Sequence, residues 1–476
     1  MPETLFDVIV IGAGPTGENV ADRAVKGGLT AAIVESKLAG GECSYYACIP
    51  SKVLLRSSAA LNDARRVNGS KQAITGQVDA SAVLARRTEF TDSWKDDSQV
   101  EWLKNAKVAF LRGRGRLAGE RMVDVAASGS VTRLTARHAV VIATGTDPML
   151  PPIPGLAEAA PWTNREATRT DRIPPRLAVL GGGPVACELG QAFHSLGSQE
   201  VTLLDRADRL LERFEPFVGD RVAARFRDLG MSVHTSVNVT RVERRTPNTP
   251  VQVWFDGGSI EADEILVATG RVPNTKDIGL ETVSLKPGDW LEVDETCRVK
   301  SVPSGWLYAA GDVNHRILLT HMGKYQARVC GDAIAARAKG ELNGWPKPWS
   351  RWAATADHTA VPQVVFTDPE VGGVGLTEAQ ARQAGLRVRA VEYDMSHISG
   401  AHILADGYQG YAKMIVDEDR GVIVGATLVG QDVGELIHAF TIAVVGEVPL
   451  DRLWHAVPSF PTLSEIWLRL LESYGL

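Results

Sequence analysis

Two stretches of this sequence read as strand, glycine turn, helix, and together they fix most of what the chain can fold into. In the first, Phe6-Asp7-Val8-Ile9-Val10-Ile11 is a buried-strand run, followed by Gly12-Ala13-Gly14-Pro15-Thr16-Gly17 and a helix-like stretch from Glu18 to Lys26. The first glycine permits a tight turn, the second lets a pyrophosphate approach the backbone, and the third lets helix pack on strand. The helix N-terminus attracts the phosphates. A second strand, Thr30 to Val34, then delivers Glu35 twenty-three residues after Gly12, where a carboxylate can accept hydrogen bonds from a ribose. The pattern restarts with strand Leu177 to Leu180, Gly181-Gly182-Gly183-Pro184-Val185-Ala186, a helix through Leu196, strand Val201 to Leu204, and Asp205 twenty-four residues after Gly181. One fingerprint is a weak signal. Two in one chain predict two doubly wound α/β units and two dinucleotides.

At 476 residues the chain is too long for one ordinary domain, and 44% hydrophobic with 23% charged residues describes a globular composition. Fifty-one basic against fifty-seven acidic side chains give a formal charge of −6 without a long basic run, so no nucleic-acid partner is expected. Met1 to Leu5 lacks a positive n-region and the apolar run Val8 to Ile11 is too short for a signal peptide or membrane span, which predicts a cytoplasmic protein. Four prolines in Asp147 to Leu156, and two more at Pro174-Pro175, place a domain boundary there. Helices are expected over Val53 to Arg66 and Ala80 to Trp102, and strands over Val108 to Leu117, with Gly115 inside, and Arg137 to Ala143.

Gly40 to Lys52 reads Gly-Gly-Glu-Cys-Ser-Tyr-Tyr-Ala-Cys-Ile-Pro-Ser-Lys and places two of the five cysteines, Cys43 and Cys48, five positions apart. Taken alone they are either a redox pair or two buried small hydrophobes. A regular helix would separate them by ~7.5 Å, beyond the roughly 4.4 to 6.8 Å that a disulfide spans, so a bridge would require a break between them. Ile49-Pro50-Ser51-Lys52 can open a helix, with Cys48 at its positive end beside a lysine, a setting that favours a thiolate. Cys187, Cys297 and Cys330 are far apart and receive no role. His397 and His402 lack a ligand pattern, and no metal site is expected.

Gly-Gly before the cysteines, Pro-Ser-Lys after them and the upstream fingerprint together resemble the class I pyridine nucleotide-disulfide oxidoreductases, from Phe6 almost to the C-terminus. The resemblance implies a glutathione reductase-like architecture: an FAD-binding domain (1–152), an NAD(P)-binding domain (153–275), a return to the FAD-binding domain (276–345) and an α+β interface domain (346–476) that forms a homodimer. It implies FAD at Gly12, Gly14, Gly17, Glu35, Gly115, Thr144, Gly145, Asp312 of Gly311-Asp312, and Leu319-Thr320-His321. It implies NADH or NADPH at Gly181, Gly183, Ala186, Val237 and Gly270 of Gly270-Arg271-Val272-Pro273-Asn274. Asp205 favours a ribose 2′-hydroxyl while Arg206 could pair with a 2′-phosphate, which leaves a slight lean to NADH. Electrons are expected to pass from NAD(P)H through FAD to Cys43 and Cys48, with Lys52 stabilising reduced flavin and pairing with Glu188.

The family's disulfide-reducing members carry a histidine in His-Pro-Thr-x-Ser-Glu near the C-terminus. Here the stretch is Phe460-Pro461-Thr462-Leu463-Ser464-Glu465, so the acid/base is replaced by Phe460 while its partner Glu465 remains. Tyr45-Tyr46-Ala47 is bulkier than usual between the cysteines, and the terminal cysteine pair of mercuric reductases is missing. The expected activity is electron transfer to a small non-disulfide acceptor such as a quinone or metal ion. The alternatives are a dihydrolipoamide dehydrogenase-like thiol-disulfide reductase and a nucleotide-binding redox sensor or complex subunit. The tryptophan-rich Gly344 to Trp352 is expected to be a linker or surface loop.

Overall fold

The structure, a computed structural model, describes residues 4–246 and 249–476; residues 1–3 of the stretch read for a targeting signal lie outside it. The chain forms two compact units, one of residues 1–49, 88–148 and 271–357, the other of 50–87, 149–270 and 358–476.

In the first unit, the apolar run predicted as a strand becomes Leu5–Ile11 at the middle of a seven-stranded sheet. It pairs in parallel with Ala31–Glu35 on one side and Ser130–Ile142 on the other, with Val10 opposite Ile33 and Val141. Val8, Ile9 and Val10 are fully buried, as expected of a strand covered on both faces. Ala109–Arg112 extends the parallel set, Leu307–Ala309 returns to pair with Ser130–Ile142, and Met122–Ala127 with Arg114–Leu117 forms an antiparallel flap. Helices Pro15–Lys26 and Thr320–Ala338 pack on one face.

The expected helix Ala80 to Trp102 is two helices, Ala80–Phe90 and Asp97–Asn105, because Asp92, Ser93 and Trp94 take positive φ between them. Thr-Asp-Ser side chains compete with helical hydrogen bonding, which explains a break that apolar periodicity does not show. Gly344 to Trp352 is an ordered loop without helix or strand, held by Arg351, whose guanidinium donates to Asp332 at 2.9 Å.

The second unit holds a four-stranded parallel sheet in the order Ser232–His234, Glu200–Leu204, Arg176–Leu180, Glu264–Val267, with helix Pro184–Ser195 beside it. A three-stranded antiparallel sheet, Val239–Arg244, Val251–Phe255 and Gly258–Ala262, completes that region. Residues 358–476 form a five-stranded antiparallel sheet with its longer helices at Val433–Val445 and Ile466–Tyr474, joined by several short helical turns. Leu54, Leu55 and Val83 share one core with Leu177, Phe193 and Val365. No helix of the described residues is long and apolar enough to cross a membrane.

Candidate active site

The two glycine turns have the same geometry. Gly12 (φ 104°) and Gly181 (φ 116°) adopt positive φ, and a Cβ on either would sit 2.5 Å from a carbonyl oxygen, of Ala143 or of Ala268. Those carbonyls open Ala143-Thr144-Gly145 and Ala268-Thr269-Gly270, so each turn leans on the strand end that its own repeat supplies. Gly14 and Gly183 cap their helices in extended conformation, with Pro15 and Pro184 next. A Cβ on Gly14 would meet nothing nearer than 4.0 Å, and one on Gly183 nothing within 4 Å. Open space over a helix N-terminus is what an approaching pyrophosphate needs. Ala186 is wholly buried in its helix.

Around the first turn, Ala13 N–H donates to Glu35 Oε2 at 2.8 Å and Lys37 N–H to Oε1 at 2.7 Å, which fixes the carboxylate while leaving lone pairs for a ribose. Thr144 Oγ1 is buried with no hydrogen-bond partner among the described residues, a polar atom that a cofactor group would satisfy. Thr146 Oγ1 donates to Asp312 Oδ2 at 2.9 Å, and burial pushes that carboxyl up from its ordinary value. Asn274 ties the Gly-Arg-x-Pro-Asn turn to this strand end, its backbone N–H donating to Gly145 O at 3.0 Å and its side chain to Thr144 O at 3.2 Å. Gly115 has a packing reason: a Cβ there would be 3.1 Å from Val34 Cγ1. These residues fit a dinucleotide.

Around the second turn, Asp205 ends its strand with a carboxylate pressed against Gly182, where a Cβ would lie 2.0 Å from Oδ2. Burial raises its pKa, while the Ala207 and Arg206 backbone groups bond to it and lower it. Val237 N–H donates to Asp205 O at 3.0 Å, and Arg206 is exposed.

Cys43 lies in a short helix, Gly41–Tyr45; Tyr46 (φ −136°, ψ −4°) breaks it, and a new helix, Cys48–Arg65, starts at the second cysteine. The break that a bridge would require is therefore present. Both cysteines are thiols here, and the Cys43 thiol is pushed up by its hydrogen bond with Cys48 and then by burial. Cys48 Sγ is 3.1 Å from Thr320 Oγ1, at the start of helix Thr320–Ala338. Leu319 caps that helix in extended conformation and His321 is exposed.

Two supports of the cysteine turn escape sequence reading. Trp94 Nε1 donates to Tyr45 O at 3.2 Å, and Tyr45 Oη donates to Lys95 O at 3.1 Å, so the helix break at 92–94 braces the turn. Asp96 Oδ2 accepts from Ala39 N–H at 2.7 Å. No local pattern marks these contacts, which join residues about fifty positions apart in sequence.

Lys52 Nζ donates to Glu188 Oε2 at 2.5 Å, and Phe366 N–H donates to Oε1 at 3.0 Å. Glu188 is only 4% exposed, so it is no solvated helix face. Phe460 is 74% exposed, whereas Glu465 is buried and accepts from Gly400 N–H at 3.3 Å. Among the described residues no cluster of three or more His, Cys, Asp or Glu is arranged for a metal.

The chain matches the family model of the pyridine nucleotide-disulphide oxidoreductases over residues 6–327 and that of their dimerisation domain over 361–470. It is similar to a mercuric reductase of Shigella flexneri (32% identical, covering 96% of this chain and 78% of the relative). It is also similar to a dihydrolipoyl dehydrogenase of Bacillus subtilis (30%, covering 98% and 96%). Among solved structures it shares its fold with the Cu(II) complex of the HOCl-induced flavoprotein disulfide reductase RclA from Escherichia coli, with a TM-score of 0.83 at 24% identity over 99% of both chains.

Proposed function

The chain belongs to the pyridine nucleotide-disulphide oxidoreductase family, an FAD-binding, NAD(P)H-using class of enzymes, and from that premise we propose that it passes electrons through Cys43 and Cys48 to an acceptor that is not a disulfide, a quinone or a metal ion. FAD, when bound, supplies the link between hydride chemistry and thiol chemistry. Gly12, Gly14, Gly17, Thr144 and Gly145 hold its pyrophosphate, Glu35 its ribose, Asp312 its ribityl chain, and the Leu319-Thr320-His321 backbone its ring. Gly181, Gly183, Ala186, Val237 and Gly270 form the second cradle. Asp205, turned into that cradle, favours NADH over NADPH. Lys52 holds positive charge four residues beyond Cys48 in the same helix, and Glu188 orients it. The dimerisation domain makes a homodimer, in keeping with exposed Ile403, Ile442, Val457 and Phe460.

The observation that carries the choice of acceptor is Phe460. Releasing a thiol from a mixed disulfide is helped by a positioned acid, whose proton transfer contributes ~10²- to 10⁴-fold, and phenylalanine has no proton to give. A quinone or metal ion needs no acid at a leaving sulfur, so a phenylalanine at this position costs such an acceptor nothing. A relative named mercuric reductase supports the metal-ion branch. The test is Phe460→His. We expect it to raise kcat/KM for lipoamide- and glutathione-type disulfides by at least about tenfold while leaving the quinone rate near the wild type. Unchanged disulfide turnover in a variant that retains FAD would remove the role given to this position.

A further inference from the structure

Cys297 and Cys330 are far apart in sequence, and the fold brings both into one apolar core of the first unit, where neither exposes any surface. Cys297 closes a turn that begins at Asp294, its N–H donating to Asp294 O at 2.9 Å, and it holds φ at 64°. That left-handed conformation is uncommon outside glycine. The Asp294 carboxylate fixes it by accepting from the N–H groups of Thr296 at 2.8 Å and Arg298 at 3.1 Å. The turn lies along one face of helix Thr320–Ala338: Cys297 Sγ–H donates to Gln326 O at 3.8 Å, and the Arg337 guanidinium donates to Thr296 Oγ1 at 3.1 Å. Residues 326, 330 and 337 share that face, and a helical side chain leans back over the turn that precedes its own Cα. Cys330 is therefore directed at the Gln326 turn, where Cys297 Sγ sits. Its hydrogen bond with Cys330 and then burial push the Cys297 thiol well above its ordinary value.

We infer that Cys297 and Cys330 are a second dithiol of this protein, which a small uncharged oxidant, a hydroperoxide such as hydrogen peroxide, closes to a disulfide independently of Cys43 and Cys48. Both are thiols in the structure. Thr320, which touches Cys48, and Cys330 are ten residues apart in one helix, or ~15 Å, too far for the two pairs to exchange directly. Burial selects the oxidant. Arg298, next to Cys297, is partly exposed, so a local opening of the turn admits a molecule little larger than water, whereas a quinone or glutathione disulfide is too bulky for sulfurs that expose no surface. Cys297 stays protonated, which makes Cys330 the attacking sulfur. Its sulfur breaks the O–O bond, giving a sulfenic acid and water; the Cys297 sulfur then displaces the sulfenic hydroxyl, forming S–S and a second water. Two electrons leave the sulfurs for the peroxide, and both thiol protons end in water. The bridge ties the helix to a turn whose Cys297 O accepts from Ala309 N–H at 2.9 Å in strand Leu307–Ala309, and it closes a loop of roughly 30 residues in the unfolded chain, so the disulfide form is the more stable one.

The experiment treats the FAD-loaded protein with hydrogen peroxide or with glutathione disulfide, alkylates the remaining thiols under denaturing conditions and maps the peptides without reduction. Peroxide should yield the peptide pair joined through Cys297 and Cys330, which dithiothreitol then separates; glutathione disulfide should yield little of it. Peroxide should also raise the melting temperature of the wild type by a few degrees more than that of Cys330→Ala. Alkylated thiols at both positions after peroxide treatment, sulfinic acids in place of the bridge, equal linkage by glutathione disulfide, or equal melting shifts in the two proteins would overturn the inference. The wild-type peptide map decides by itself if Cys330→Ala is poorly folded.

Discussion

Glu18 stands where most of the energy of a buried charge is decided by pH. Its carboxyl moves from an ordinary 4.5 to about 7 because burial penalises the ionised form, partly offset by Lys324 and the Gly40 backbone. The folded state therefore holds this proton more tightly than the unfolded chain does. The resulting stability is fully present below about pH 4.5 and is lost as pH rises through about 7. Glu18→Gln has no such dependence. Denaturant melts should show the variant gaining on the wild type from pH 4.5 to 8, by roughly 3 kcal/mol at about 1.4 kcal/mol per pKa unit; a gap independent of pH would contradict the assignment. Asp205 offers a second test at this scale. Removing its carboxylate deletes one ribose hydrogen bond but relieves repulsion of a 2′-phosphate, so Asp205→Ala should raise the NADPH-to-NADH ratio of kcat/KM about tenfold or more. An unchanged ratio would mean the ribose is read elsewhere, with Arg206 the first place to look. The Lys52 and Glu188 pair was legible from the resemblance alone. The contact of Cys48 with Thr320 was not, because no sequence period links residues that far apart.

Elements with strict steric demands were the easiest to read. A glycine turn between a buried strand and a helix leaves few alternatives, and both turns recur with φ near 110° and a strand-end carbonyl 2.5 Å from a hypothetical Cβ. The two glycine classes predict different outcomes. A Cβ at Gly17 would lie 1.9 Å from Gly12 O, so Gly17→Ala should force the helix off the strand and cost FAD retention together with stability. Gly183→Ala meets nothing within 4 Å and should leave the melting temperature unchanged while raising KM for the pyridine nucleotide at least about tenfold, since the methyl fills the space of the pyrophosphate. Thermal melts, flavin content and KM check both; an inert Gly183→Ala would contradict the second cradle. Less legible was the break at 92–94, because hydrophobic spacing runs on through it from Ala80 to Trp102. What breaks the helix there is a set of short polar side chains, and what holds it is Trp94 against Tyr45.

For the whole molecule, fold class was readable because the fingerprint occurs twice and because the match to the family is nearly end to end. The grouping of residues 50–87 with 149–270 and 358–476 was not, since it depends on Leu54, Leu55 and Val83 finding Leu177, Phe193 and Val365 across long gaps in sequence. The proposed choice of acceptor turns on Phe460, which is exposed within the stretch matched to the dimerisation domain, at the position where the family resemblance implies a histidine. The most direct measurement is therefore the steady-state kcat/KM of the wild-type, FAD-loaded protein for a quinone and for a mercuric or cupric salt, set against lipoamide, glutathione disulfide and cystine with the same pyridine nucleotide. The account predicts that the best non-disulfide acceptor exceeds every disulfide by at least ~10²-fold, the lower bound of what a missing general acid costs. Turnover of any of those disulfides at close to the quinone or metal-ion rate would contradict it.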